Sequence, residues 1–132
     1  MKKEQKKYSR ILNLPLDGHK SIFLFGPRGT GKSTWLEQHV PDAFLINLLE
    51  SRIYQKLLND PQSIEDIIPN DPKKWIIIDE VQKIPILLNE VHRLIKDKGY
   101  RFILTGSSAR ALRKKGVNLL AGRALTYTMH PM

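Results

Sequence analysis

Ser21-Ile22-Phe23-Leu24-Phe25-Gly26-Pro27-Arg28-Gly29-Thr30-Gly31-Lys32-Ser33-Thr34 is the stretch on which the fold turns. It opens with a short, continuous apolar run that stops at a glycine. Such runs are strands buried on both faces, typical of parallel sheets. Lys32 to His39 then reads as a helix, closed by Pro41. Between strand and helix, Gly26 to Ser33 meets the pattern G-x-x-x-x-G-K-[ST]. Glycines at 26, 29 and 31 permit backbone angles forbidden to other residues and let amides approach phosphate oxygens. Lys32 suits the β- and γ-phosphates of a nucleotide, and the Ser33 hydroxyl suits Mg²⁺. A helix starting near Lys32 turns its positive end toward the phosphates. Pro27, Arg28, Thr30 and Thr34 complete the candidate phosphate-binding set, with Arg28 free to face solvent or an incoming partner. A glycine-rich turn with an incidental lysine also satisfies the pattern, but it does not require a strand before and a helix after. The dinucleotide fingerprint G-x-G-x-x-G fails, because the spacing is Gly26-x-x-Gly29-x-Gly31.

Outward from the loop the same alternation repeats. Ala43 to Asn47 is a second buried strand. Arg52 to Leu58 is helical until Asn59-Asp60-Pro61 breaks it. Ser63 to Ile67 is a short helix with Ser63 as its N-cap. Asn70-Asp71-Pro72 is a turn. Trp75 to Ile78 is the third strand. Pro85 to Asp97 is amphipathic, with Leu87, Leu88, Val91, Leu94 and Ile95 at helical spacing, and Gly99 ends it. Arg101 to Leu104 is the fourth strand, Ala109 to Lys115 a helix, and Ala124 to Thr128 a fifth strand. Strand and helix in regular alternation give an α/β domain with a parallel sheet. Residues 1–19 form a basic lead-in.

The third strand delivers Asp79 and Glu80 at its C-terminal end, where open α/β sheets bind ligands. Strand alternation points the two side chains differently. Asp79 suits Mg²⁺, through water. Glu80 suits the water that attacks the γ-phosphate. A solvated acidic turn is the plainer reading, and the phosphate loop argues against it. The fourth strand ends likewise, in Thr105-Gly106-Ser107-Ser108. A hydroxyl there, from Ser107 or equally from Thr105, is placed to sense the γ-phosphate or the lytic water. Ser107 or Ser108 as a helix cap is equally good physics. Arg110 and Arg123 are candidates for stabilising transition-state charge, in cis or from a neighbouring subunit. His19, His39, His92 and His130 have no metal-ligand spacing, and no serine sits in a nucleophile-elbow context.

Composition bounds the rest. The 132 residues suit one domain. Cysteine is absent, which excludes disulfides, thiolate zinc sites and cysteine catalysis and fits a cytoplasmic setting. No apolar run approaches a membrane span, and no signal-peptide pattern follows the N-terminus. The formal net charge is +9, from 22 Lys+Arg against 13 Asp+Glu. The excess lies in residues 2–10 and after Asp97, beyond which no acid follows. It is compatible with nucleic acid as a partner, and equally with a solubilising surface, phosphate contacts or a protein partner.

Taken together, Gly26 to Ser33 looks like a Walker A motif, and Ile76-Ile77-Ile78-Asp79-Glu80-Val81-Gln82 looks like a Walker B with an added catalytic glutamate. Leu104-Thr105-Gly106-Ser107-Ser108 looks like a sensor-1 strand end, and Leu120-Ala121-Gly122-Arg123 before the last strand completes the match. From about Lys20 to Pro131 the chain resembles the bacterial and archaeal AAA+-like P-loop ATPases that carry a C-terminal domain of unknown function. The resemblance implies a three-layer α/β fold with a five-stranded parallel sheet in the order 5-1-4-3-2. It also implies Mg²⁺-dependent ATP binding and hydrolysis by residues 20–132, with the lid and C-terminal module of longer members missing after the fifth strand. ATP is favoured over GTP because no Asn-Lys-x-Asp guanine motif occurs. A small-molecule kinase, a nucleic-acid-dependent motor, a self-associating oligomer and a nucleotide-binding module with little turnover are the other readings it leaves open.

Overall fold

The computed structural model describes residues 21–27, 31–70, 74–114 and 124–129. In chain order these form β1 (Ser21–Phe25), α1 (Lys32–His39), β2 (Phe44–Asn47), α2 (Ser51–Asn59), α3 (Ile64–Ile67), β3 (Trp75–Asp79), α4 (Leu87–Lys98), β4 (Arg101–Gly106), α5 (Ala109–Lys114) and β5 (Ala124–Thr128). Two 3₁₀ turns interrupt the series, Pro61–Ser63 before α3 and Val81–Lys83 after β3.

The five strands make one sheet in the order β2-β3-β4-β1-β5, and every pair is parallel. This is the order that the resemblance implies. The strands read as unbroken apolar runs because both faces are covered. Period-2 alternation sorts their side chains. Phe23, Phe25, Ile76, Ile78, Phe102 and Leu104 join one cluster with side chains from α2, α3, α4 and α5. Ile22, Leu24, Trp75, Ile77 and Ile103 face the other way, onto Trp35 and Leu36 of α1. The sheet is therefore the middle of three layers.

The local signals mostly act where the sequence puts them. Gly99 closes α4 in the left-handed conformation, φ 70°, with its N–H on the Ile95 carbonyl. Ser63 stands at the N-cap position of α3, as the sequence predicts, but without the side-chain bond of a cap. It does not cap α3 with its side chain, because Pro61 starts a 3₁₀ turn that runs straight into the helix. Its backbone is already helical, and its hydroxyl donates to the Asp60 carbonyl at 2.7 Å instead. On the surface, Arg93 of α4 reaches Glu65 of α3 and Glu90 of its own helix, each at 3.0 Å. Hydrogen bonds to Glu90 and then Glu65 hold the guanidinium pKa above its usual value. Among the described residues, no helix is long and apolar enough to cross a membrane.

Candidate functional site

Strands β1, β3 and β4 end at one edge of the sheet, and alternation decides what each presents there. Trp75 and Ile77 face α1, so Asp79, next in that series, falls on the α1 side as well. Ile103 puts Thr105 on the same side. Ile78 stands level with Leu104 in the register, which brings Asp79 and Thr105 side by side. The Thr105 hydroxyl donates to Asp79 Oδ1. Its oxygen also accepts the Glu80 N–H at 3.0 Å. One fully buried hydroxyl thus binds both acidic residues.

Glu80 does not continue the strand. It adopts φ 63°, ψ 50°, the left-handed region, and is the one described non-glycine residue with positive φ. The chain then turns into the 3₁₀ segment, which carries Gln82 back over Glu80. Gln82 Nε2 donates to Glu80 Oε2 at 2.6 Å. Glu80 is only 6% exposed, so its carboxylate sits in a low-dielectric setting with a neutral donor against it.

Helix α1 supplies the third component. Gly31 caps it at φ 89°, with no side-chain cap and no acidic residue in the first turn. A helix start of this kind offers amide donors and a positive end to an anion. Lys32 is buried at 8% exposure. Its Nζ donates to the Gly26 carbonyl and, at 3.4 Å, to the Gly106 carbonyl. The Gly26 N–H reaches the same Gly106 carbonyl at 3.1 Å. The ends of β1 and β4 and the lysine therefore meet at one point. Ser33 and Thr34 lie exposed on the first turn. Ser33, Leu36, Asn47, Ile77 and Asp79 line a cavity of about 330 Å³ between α1 and β2–β3.

These residues suit a magnesium nucleotide. Ser33 and Asp79 are hard oxygen donors lining one cavity, the type that Mg²⁺ takes. A glycine-capped helix start beside a buried lysine is a receptor for phosphate oxygens.

The structure brings Gly26, Gly31, Lys32, Ser33, Asp79, Glu80 and Thr105 to one edge. Of the two hydroxyls that the sequence leaves open, Thr105 touches the acids, while Ser107 is exposed beyond the strand end. Arg110 is exposed on α5. Arg28, Gly29, Thr30, Arg123, His19 and His130 lie outside the described residues. His39 stacks on Trp35, with ring centroids 4.1 Å apart, and hydrogen-bonds its carbonyl oxygen. Two site residues escape a reading by type. Asn47 is the register partner of Asp79, at the end of β2. Gln82 stands in the sequence as the last residue of the Walker B-like stretch, with no role of its own assigned to it.

The Thr105 contacts set a first expectation. Thr105→Val keeps the shape but leaves the Glu80 N–H without its acceptor in a buried position, at a cost of about 1–3 kcal/mol. Urea unfolding of the variant should show that loss as a lower midpoint with an unchanged slope.

Comparison with known proteins agrees with this architecture. An AAA domain profile matches residues 18–132. An uncharacterized protein of Methanocaldococcus jannaschii is 29% identical over 136 aligned residues, covering 98% of this chain. The chain spans 31% of that relative's length. Among solved structures, the P-loop NTPase domain of the sigma-54 transport activator from E. coli superposes with a TM-score of 0.57 at 15% identity, over 86% of this chain and 95% of that one. That likeness speaks to the fold alone. The profile covers most of the sequence, and the sheet order, the glycine-capped α1 and the acidic end of β3 are of one piece with it: the chain belongs to the AAA domain family and is a P-loop ATPase-like core of the AAA+ kind.

Proposed function

We propose that this chain binds ATP with Mg²⁺ and hydrolyses it with an activated water. The observation that carries the reading is the Thr105 hydroxyl, which ties Asp79 and Glu80 together beside the strand ends where Lys32 lies. A nucleotide site needs a cation for phosphate charge, oxygen donors for a metal and a base for water, all within one pocket. Lys32 neutralises charge on the β- and γ-phosphates, leaving the carbonyls of Gly26 and Gly106 to do so. The amides of residues 26–34 cradle the phosphates. Ser33 and Asp79 would hold Mg²⁺, which when bound neutralises charge building on the phosphate oxygens. Glu80 takes the proton of the attacking water. Its burial keeps bulk water from competing for the carboxylate. Ser107 senses the γ-phosphate, while Thr105 holds the Asp79 carboxylate and the Glu80 backbone. Arg110 or Arg123 adds positive charge in cis or from a second subunit.

The acidic pair favours water over a small-molecule acceptor, so the reaction is hydrolysis rather than phosphoryl transfer to a metabolite. The lack of an Asn-Lys-x-Asp motif favours ATP over GTP. The reading places the chain in the cytoplasm.

The test is phosphate release from ATP without any acceptor, with Mg²⁺ and with EDTA. Magnesium-dependent release that exceeds the rate with GTP is expected. An absence of release at saturating ATP, with the nucleotide nonetheless bound, would reduce the chain to a binding module. The +9 charge is compatible with nucleic acid, which is the partner to add first. Stimulation by DNA or RNA that falls steeply with salt would identify it, and no stimulation at low salt would remove it.

A further inference from the structure

We propose that Gln82 is a positioning residue for hydrolysis, its side-chain amide fixing the Glu80 carboxylate while the bare Cα of Gly106 makes room for it. The inference rests on Glu80 being the base assigned above.

Three observations converge on it. The first is the backbone of Glu80. A non-glycine residue at φ 63° is strained and persists only where its surroundings impose it. Here the N–H is held by Thr105 at 3.0 Å, and the carbonyl accepts the Lys83 N–H at 3.0 Å. Both bonds fix the peptide planes on either side of Glu80. They leave the side-chain torsions to be set by something else.

The second observation is what sets them. The Val81–Lys83 turn is anchored by buried Val81, and it brings Gln82 within 2.6 Å of Glu80 Oε2. A carboxylate oxygen accepts and an amide NH₂ donates, so this contact has a fixed sense. It favours one rotamer of the carboxylate. A general base must be within hydrogen-bond reach of the proton it abstracts, and small misplacements at such a group are expensive in rate.

The third is the seat of Gln82 itself. A Cβ added at Gly106 would lie 2.8 Å from Gln82 Oε1 and 3.4 Å from the Phe25 ring. The amide therefore lies against the end of β4, directly beside the residue whose carbonyl receives Lys32 and the Gly26 N–H. Gln82 spans the gap between the end of β3 and the end of β4. It carries the position of the sheet edge to the carboxylate.

The experiment compares the wild-type chain with Gln82→Met, Gln82→Glu, Gly106→Ala and Glu80→Gln. Methionine keeps the length and bulk of glutamine and removes the donor. Gln82→Met should lower kcat by about 10²-fold, the cost of a misplaced reacting group. Its KM and its affinity for a fluorescent ATP analogue should stay within about twofold, because a base that acts on water contributes little to ground-state binding. Gln82→Glu should fall at least as far, since it sets a like charge beside Glu80. Gly106→Ala should reproduce the kcat loss with Gln82 intact, by displacing its amide. A purely structural role would instead lower the melting temperature and raise KM together.

A second readout is independent of turnover. The Gln82 side-chain amide signals in a nitrogen–proton NMR spectrum, assigned by their loss in Gln82→Met, should move in Glu80→Gln and in Gly106→Ala. Unmoved signals would overturn the contact. A Gln82→Met kcat within about twofold of wild type, with Glu80→Gln inactive, overturns the role of Gln82 and leaves the base in place. Wild-type turnover in Glu80→Gln, or none in the wild type, overturns the assigned base and this inference with it.

Discussion

Glu80→Gln is expected to lose turnover by about 10²–10⁴-fold, the span that a positioned general base contributes. The substitution is close to isosteric. The backbone contacts that hold residue 80, the N–H on Thr105 and the carbonyl on the Lys83 N–H, do not involve its side chain. The left-handed conformation is therefore retained. What changes is the chemistry, since an amide oxygen does not take up the proton of an attacking water. ATP affinity should remain, because Lys32, Ser33 and Asp79 are untouched. Equilibrium binding of a fluorescent ATP analogue beside a phosphate-release assay separates the two quantities. Turnover at the wild-type rate would mean that some other group activates water.

Lys32→Ala is expected to fail earlier, at binding. The lysine is the one described residue of the loop whose cation already lies at the β1–β4 junction. Losing a charged hydrogen-bond donor costs about 1.5–3 kcal/mol, which is roughly 10–150-fold in the dissociation constant. The loss is larger for a nucleotide with a γ-phosphate than for one without it, so the affinity ratio of ATP to ADP should drop. Thermal stability should also change, because the carbonyls of Gly26 and Gly106 lose a partner at a buried position. Isothermal titration with ATP and with ADP checks the ratio. Equal losses for both nucleotides would place the lysine on the α- or β-phosphate rather than the γ-phosphate.

Much of this was legible before any coordinates. The continuous apolar runs Ile22–Phe25, Trp75–Ile78 and Phe102–Leu104 announce strands buried on both faces, and the glycine spacing after the first announces a phosphate loop. Strand alternation separates the directions of the two acids, and the structure shows that α1 covers the face of Asp79. Sheet order is different in kind. Which strand lies beside which depends on contacts between distant segments, and here it came from resemblance rather than from periodicity. Two local details were not legible. Ser63 has the right side chain for a cap, but Pro61 pre-forms the turn ahead of it. Gln82 belongs to the Walker B-like stretch, but nothing in the sequence reports that a left-handed Glu80 and a 3₁₀ turn fold it back onto the carboxylate. The choice between Thr105 and Ser107 was likewise open to sequence, since both are hydroxyls at a strand end.

The sheet order has a consequence for how the chain is made. β1 lies between β4 and β5, which follow the other three described strands in the sequence. The Phe102 N–H donates to the Ser21 hydroxyl across 81 positions of sequence. During synthesis the apolar strand that leads into the phosphate loop emerges early and waits without either neighbour, while β2 and β3 are already able to pair. Pairings of such long range are slow, and unpaired apolar edges in waiting are prone to aggregate. The proposed nucleotide site therefore closes only once β4 has joined β1 and β3, and a bound ATP would report that these three strands had been assembled.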